Sequence, residues 1–357
     1  MQKIYIHIGT FKTGSTTLQF HMHKNRERLL ENGYYYGDYF DHYYLHSNLC
    51  YGLLKEALAA YGCFEQYSSH PRFLNVAENP AEVIGRIKQN SSGCDNIIIS
   101  SEAFFADAFR TLAGLWTPVT AQEKKDINMY MRKRLKELLS EISKDFVIVC
   151  YLRRQDLFIE AQYNQYLKTT WYKDTDKKLP EFAEFVKLCP IELRYFAVLE
   201  EWRDVFKDAV FLVKPYEKNA FEKDFVTDYY TDVLKINIDE VNKFENIERK
   251  QSNLRLDRNV LEYKKMLDMR NAEINELFIE YSEQLGCIQD YAYFSKADRM
   301  KFMEPYREEN ENVAKKYLNR KDGILFEDTN YDIAEYGGLD NHMIFEITKW
   351  LLYKLKR

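Results

Sequence analysis

The chain lacks the features that would quickly place it in a class. No apolar run approaches the ~18 residues of a membrane span, so no transmembrane helix is expected. No single charge dominates: 51 basic residues stand against 56 acidic ones, a net charge of −5. That balance argues against nucleic-acid binding through bulk charge but leaves room for a local basic cleft that holds an anion. Six cysteines (Cys50, Cys63, Cys94, Cys150, Cys189, Cys287) are scattered without a C-x-x-C pair. No His/Cys/Asp/Glu cluster has metal-ligand spacing. Free thiols, a reducing cytoplasm and no metal site are therefore expected. No secretory or membrane leader is expected ahead of the first strand. Internal repeats and low-complexity segments are also missing. What remains is 357 residues, 46% of them hydrophobic, enough for a sizeable core in one large or two smaller domains.

The most informative stretch opens the chain. An apolar strand, Ile4 to Ile8, runs into Gly9-Thr10-Phe11-Lys12-Thr13-Gly14-Ser15-Thr16-Thr17-Leu18-Gln19. A strand entering a turn rich in Gly, Lys and hydroxyls, followed by a helix, is a phosphate cradle. Gly9 and Gly14 have the spacing of the nucleotide loop G-x-x-x-x-G-K-[ST]. The residue after Gly14, however, is Ser15, and the lysine, Lys12, comes before Gly14. The amides of Thr13 to Thr17 are expected to point into the turn, with the positive end of the helix behind them. Lys12 would approach the bound group from a different side than the lysine of an ATP or GTP loop.

A second motif lies further on. Phe146-Val147-Ile148-Val149-Cys150-Tyr151-Leu152 reads as a strand buried on both faces of a parallel sheet. It ends in Arg153-Arg154, at the strand end where open α/β sheets bind ligands, and arginine suits bidentate phosphate capture. Two phosphate sites on separate strand ends fit a ligand phosphorylated at two ends better than a triphosphate.

Ile6-His7-Ile8 with the loop from Gly9 to Gln19 resembles the 5′-phosphosulfate loop of sulfotransferases that use 3′-phosphoadenosine-5′-phosphosulfate (PAPS), closest to the K-T-G-[ST]-[ST] form of bacterial carbohydrate sulfotransferases. Tyr151-Leu152-Arg153-Arg154-Gln155-Asp156, followed by Ala161-Gln162-Tyr163-Asn164-Gln165, is similar to the family's 3′-phosphate motif. Glu309 to Leu318, then Leu325-Phe326, is similar to a closing segment of such proteins. The resemblance implies that Phe11, Lys12, Thr13, Gly14, Ser15, Thr16 and Thr17 hold the 5′ end and that Arg153 or Arg154 holds the 3′-phosphate. The family's serine that assists there is replaced by Ala161 if Arg153 is the arginine, or by Gln162 if it is Arg154. The implied activity moves a sulfuryl group to a hydroxyl or amine of a carbohydrate or glycolipid, releasing 3′-phosphoadenosine-5′-phosphate, with Lys12 stabilising the leaving phosphate.

Two residues compete as the base. Glu102 follows the strand Ile97-Ile98-Ile99, in Ser100-Ser101-Glu102-Ala103-Phe104-Phe105. This stretch resembles the Glu-x-x-Phe-Phe pattern of heparan sulfate sulfotransferases, whose glutamate is the proposed base, and its apolar neighbours suit that role. His46, in Asp41-His42-Tyr43-Tyr44-Leu45-His46-Ser47-Asn48, is the rival, because histidine titrates near neutral pH. His7 is expected in the core, and His21 and His23 in packing or surface roles. The 28 tyrosines crowd around Tyr34 to Tyr51, a composition that fits either a glycan cleft or ordinary packing. A small-molecule kinase and a non-catalytic nucleotide-binding scaffold are the other readings.

Strands are expected at 3–8, 34–36, 96–100, 146–152 and 209–213. Helices are expected at 14–31, 46–60, 79–90, 121–143, 156–168 and 192–206. The alternation predicts an α/β, P-loop-like three-layer fold, a central parallel sheet flanked by helices. A single sulfotransferase-like domain is expected, with a nucleotide-binding core over 1–218 and a mainly helical extension over 219–357 that carries helices near 221–234, 254–285, 296–319 and 340–356.

Overall fold

The computed structural model describes residues 2–37, 46–66, 68, 74, 77–105, 120–168, 179–189, 192–245, 256–268, 272–285, 292–327 and 336–356. Tyr39, Tyr43, Tyr44, Trp116, Pro118, the polar segment 173–178 and the basic turn 249–253 lie outside the described residues.

The strands are β1 (Lys3–Gly9), β2 (Tyr34–Tyr35), β3 (Asn96–Ser100), β4 (Asp145–Leu152) and β5 (Val210–Pro215). The helices, in chain order, are α1 (Ser15–Lys24), α2 (Arg26–Glu31), α3 (Ser47–Ala60), α4 (Pro80–Asn90), α5 (Ala121–Leu139), α6 (Gln155–Lys168), α7 (Phe182–Leu188), α8 (Tyr195–Val205), α9 (Phe225–Asp228), α10 (Ile238–Val241), α11 (Arg258–Met266), α12 (Ala272–Gln284), α13 (Lys296–Met303), α14 (Arg307–Tyr317) and α15 (Asn341–Leu355). The fold is α/β, with a central parallel sheet flanked by helices and a helical C-terminal part. The chain divides into two compact units that interleave in sequence. One comprises Met1–Arg154, Pro190–Glu248 and Tyr306–Glu327; the other comprises Gln155–Cys189, Arg249–Pro305 and Asp328–Arg357. No helix among the described residues is long and apolar enough to cross a membrane.

The first unit contains the whole sheet, in the order β2-β3-β1-β4-β5 with every pairing parallel. β1 is the middle strand. Its register sets His7 beside Ser100 of β3 and beside Val149 of β4. Ile4, Ile6 and Ile8 are fully buried, as are Ile97, Ile98, Ile99 and Ile148 to Leu152, which is why these strands read as unbroken apolar runs rather than alternations. On one face Tyr5, Ile98, Val147, Val149 and Tyr151 pack against Leu18 and Met22 of α1 and against Phe225, Tyr229 and Tyr230. α3, α4 and α5 pack on one another in the same unit.

Helix starts follow local chemistry. Asn79 caps α4 through the amides of Ala81 and Glu82, with Pro80 at the first helical position. Thr120 and Glu123 form a reciprocal capping box on α5. The helix expected over 14–31 is instead broken at Asn25. That buried side chain donates to the His21 carbonyl (3.1 Å) and accepts from the Glu245 amide (2.8 Å), bonds that hold it out of helical geometry. The helix expected over 296–319 divides around the turn Glu304–Tyr306, where Pro305 has no amide to continue the ladder. The span expected to be helical at 221–234 becomes the short α9 followed by a π-helical turn, Tyr229–Val233.

In the second unit, α6 is anchored by Arg299, whose buried guanidinium pairs with Asp156 and, at 2.8 Å, with Glu160. Lys264 of α11, also buried, donates to the Leu167 carbonyl at the end of α6 and to Asn275 Oδ1, both at 2.6 Å. A second apolar cluster joins α11, α12 and α15 through Val260, Tyr263, Phe278, Ile347 and Leu351.

Candidate functional site

Parallel strands all point one way, so the C-terminal ends of β3, β1 and β4 lie side by side and bring together the segments that follow them. After β1 the chain forms the loop Thr10–Gly14 and enters α1. The loop is pinned from below: the Thr10 amide donates to the Tyr151 carbonyl (2.8 Å), and the buried Thr13 hydroxyl donates to the Thr10 carbonyl (2.7 Å). Lys12 and Gly14 take positive φ angles of 65° and 73°. A Cβ at Gly14 would meet the Phe225 ring and the Tyr216 hydroxyl at 3.0 Å, so only glycine fits there without displacement.

The N-terminus of α1 has no acidic residue in its first turn and no side-chain cap. The amides of Ser15 and Thr16 have no partner within the helix. The Thr17 amide, expected to face a ligand, is instead bonded to the Gly14 carbonyl at 2.9 Å. Phe11, Lys12 and Thr16 are half-buried, Thr17 is exposed, and Ser15 is buried. These donors suit a phosphate or sulfate group at a helix N-terminus.

Arg153 and Arg154 part company after β4. Arg153 is half-buried and donates from one guanidinium nitrogen to the Lys12 carbonyl at 2.9 Å, clasping the loop's backbone. Its own carbonyl accepts from the Tyr195 hydroxyl at 2.7 Å. Arg154 is buried at 3% exposure. Gln162 lies buried on α6, in the second unit, which begins at Gln155.

Glu102 opens a 3-10 turn, Glu102–Phe104, directly after β3. It stands against the loop, because a Cβ added to Gly9 (φ +114°) would lie 3.1 Å from both Cα and Cβ of Glu102. The turn behind it is fixed by the Phe105 carbonyl, which accepts from Arg132 (2.9 Å) and from the Trp202 indole (3.2 Å). The half-buried carboxylate accepts from Gln19 Nε2 at 3.0 Å.

His46 lies beside this turn but in a different state. It is 3% exposed, its Nδ1 accepts from the Ser100 amide (2.9 Å), and its Nε2 lies 3.3 Å from the Gly37 carbonyl. Its own amide donates to the Ser100 carbonyl at 3.1 Å. The ring therefore joins the segment before α3 to the end of β3, and neither nitrogen is positioned to take a substrate proton. His7 is fully buried. Burial lowers its pKa to about 4, so the ring is neutral, with Nδ1 2.8 Å from the Ser100 hydroxyl. His21 packs on Tyr230, with Nδ1 2.9 Å from that hydroxyl. Tyr34, Tyr36 and Tyr51 are core residues.

Two contributors had no role in the sequence reading. Gln19 and Ser100 are both fully buried and join the loop helix to the Glu102 turn. The signal for Gln19 was present: Ser15, Leu18, Gln19 and Met22 form the buried stripe of α1, and an amide on such a stripe calls for a partner. The segment Glu309–Leu318 lies mostly on α14 in the first unit. There Glu309 accepts from the Ala197 amide (3.1 Å), and the Tyr317 hydroxyl donates to Glu200 (2.7 Å). An open depression of about 620 Å³, lined by Met129, Lys133, Lys136, Asp204, Val205 and Lys207 between α5 and the end of α8, shares no residue with this site.

No known family profile matches the chain, and no solved structure matches it. An uncharacterized protein of Archaeoglobus fulgidus is similar to it, 27% identical over 182 residues, which is 50% of this chain and 47% of that protein. The chain thus spans less than half the length of this relative.

Proposed function

We propose that the protein is a PAPS-dependent sulfotransferase whose acceptor is a hydroxyl or amine of a carbohydrate or glycolipid. The observation that carries this reading is the pairing of a phosphate-cradling strand–loop–helix, with its lysine ahead of the second glycine, and a glutamate whose Cα and Cβ stand against Gly9, where the strand enters that loop. The donor set fits the group: the amides of Ser15 and Thr16 at a helix start free of acids, the hydroxyls of Thr16 and Thr17, and Lys12 on the loop's rim.

PAPS supplies an activated sulfuryl group, whose S–O bond to the 5′-phosphate breaks as the bond from sulfur to the acceptor oxygen or nitrogen forms. Glu102 takes the acceptor's proton. Lys12 and the helix start offset the negative charge that gathers on the departing 5′-phosphate. Arg153 fixes the loop through the Lys12 carbonyl. His46, held at both ring nitrogens, supports the Glu102 turn rather than acting as the base.

Calorimetric titration with 3′-phosphoadenosine-5′-phosphate, ADP and ATP, without metal, tests this reading. Selective binding of the 3′-phosphorylated nucleotide is the expected result. Preference for ATP would favour a small-molecule kinase, and no nucleotide binding at all would end the reading.

A further inference from the structure

We propose that Gln19 is a positioning residue for the Glu102 carboxylate and that it ties the seat of the donor to the placement of the base. The inference rests on the sulfuryl-transfer reading above. Gln19 is fully buried on the core-facing stripe of α1, where Leu18 and Met22 do the packing. Its side-chain nitrogen reaches three oxygens, Glu102 Oε2 at 3.0 Å, the Ser100 hydroxyl at 3.1 Å and, at the longer 3.5 Å, the Ser100 carbonyl. The Ser100 hydroxyl is in turn 2.8 Å from Nδ1 of His7, which burial keeps neutral. No other hydrogen bond to the Glu102 carboxylate occurs among the described residues.

Packing alone does not explain an amide here. A leucine or methionine of similar volume would fill the stripe, whereas the Gln19 side-chain oxygen is buried with no partner. What the amide supplies is a directed donor without charge. Such a donor orients a carboxylate without placing a charge beside it, whereas a lysine or arginine would hold it in an ion pair.

The route to the donor site is short. The Ser15 and Thr16 amides that would receive the 5′ end and the Gln19 side chain belong to the same helix, one turn apart. Fixing the start of α1 on an anion therefore fixes the group that aims Glu102. Gly9, close against Glu102 Cα and Cβ, fixes the base of the same side chain.

The test compares wild type, Gln19→Leu, Glu102→Ala and the double variant. Turnover of PAPS is followed by release of 3′-phosphoadenosine-5′-phosphate, with a panel of mono- and disaccharides as acceptors and water as acceptor where none serves. Affinity for 3′-phosphoadenosine-5′-phosphate is measured in parallel. Gln19→Leu is expected to bind the nucleotide within about twofold of wild type and to lose about tenfold or more in kcat. The double variant is expected to be no slower than Glu102→Ala alone, because removing the oriented group makes the orienting one irrelevant. Full kcat in Gln19→Leu, or an equal loss in both backgrounds, overturns the inference. So does loss of nucleotide binding in both Gln19→Leu and Gln19→Met, which would make the residue a packing element. A wild type that binds the nucleotide but never turns over PAPS overturns the sulfuryl-transfer reading and this inference with it, and wild type alone reveals that outcome.

Discussion

Replacing Gly9 with alanine tests the close approach between the loop and Glu102 without reference to any substrate. At Gly9 two costs combine. Its φ of +114° is a conformation that L-residues avoid, at about 1–3 kcal/mol. The new methyl would also sit 3.1 Å from Glu102 Cα and Cβ and 3.2 Å from its carbonyl oxygen, overpacking that adds about 1–3 kcal/mol. Trimming Glu102 to alanine would not relieve the clash, since those three atoms remain. Two other glycines separate the terms. Gly62 has φ +70° with nothing within 4 Å of its notional Cβ, so Gly62→Ala carries only the backbone cost of about 1–2 kcal/mol. Gly85 lies inside α4 with open space around it, so Gly85→Ala should stabilise by about 0.5–1 kcal/mol. At about 2–4 °C per kcal/mol for a unit of this size, scanning calorimetry should rank the melting temperatures Gly85→Ala above wild type, then Gly62→Ala, then Gly9→Ala. Gly9→Ala melting at or above Gly62→Ala would refute the contact between the loop and Glu102.

Lys12→Ala should lower PAPS turnover by about tenfold or more, because a positioned charge at the leaving group contributes at least that much; turnover at the full rate would remove the loop from the chemistry. Lys264 offers a test in the second unit. Desolvation lowers its pKa from 10.5 to about 7, so between those values the unfolded chain binds a proton that the folded chain does not, and stability should rise with pH across that window, approaching about 1.4 kcal/mol per pH unit. Urea midpoints measured across the window should show this slope in wild type and its loss in Lys264→Met; the same slope in both would mean that Lys264 keeps its charge when buried.

The sheet could be read from the sequence because buried parallel strands are locally encoded. Ile97-Ile98-Ile99 and Phe146 to Leu152 are short runs apolar at consecutive positions and rich in β-branched residues, the pattern of a strand covered on both faces. Helix ends were harder to place. Of the two bonds that hold Asn25 out of the helix, the one from the Glu245 amide comes from 220 positions away and leaves no local mark. The interleaving of the two units has the same origin: Tyr306–Glu327 returns to the first unit through contacts such as Glu309 with the Ala197 amide, and no linker composition announces it.

The site divides along the same line. The loop and Glu102 could be named because each directly follows a strand, and a strand's end is written in its own residues. Which side chains meet beneath them depends on register, which no single strand encodes. One register, His7 beside Ser100, puts a neutral imidazole and a hydroxyl under α1 on one face of the sheet. The same strand end offers its backbone amide and carbonyl to His46, 54 positions away. A one-residue slip of β3 against β1 would turn the Ser100 side chain to the opposite face, away from Gln19 and His7. The proposal of Glu102 rather than His46 as base therefore rests on strand pairing, which engages both His46 ring nitrogens. The sequence showed both groups but not the pairing that engages one ring and sets the other residue against Gly9, with its carboxylate on Gln19.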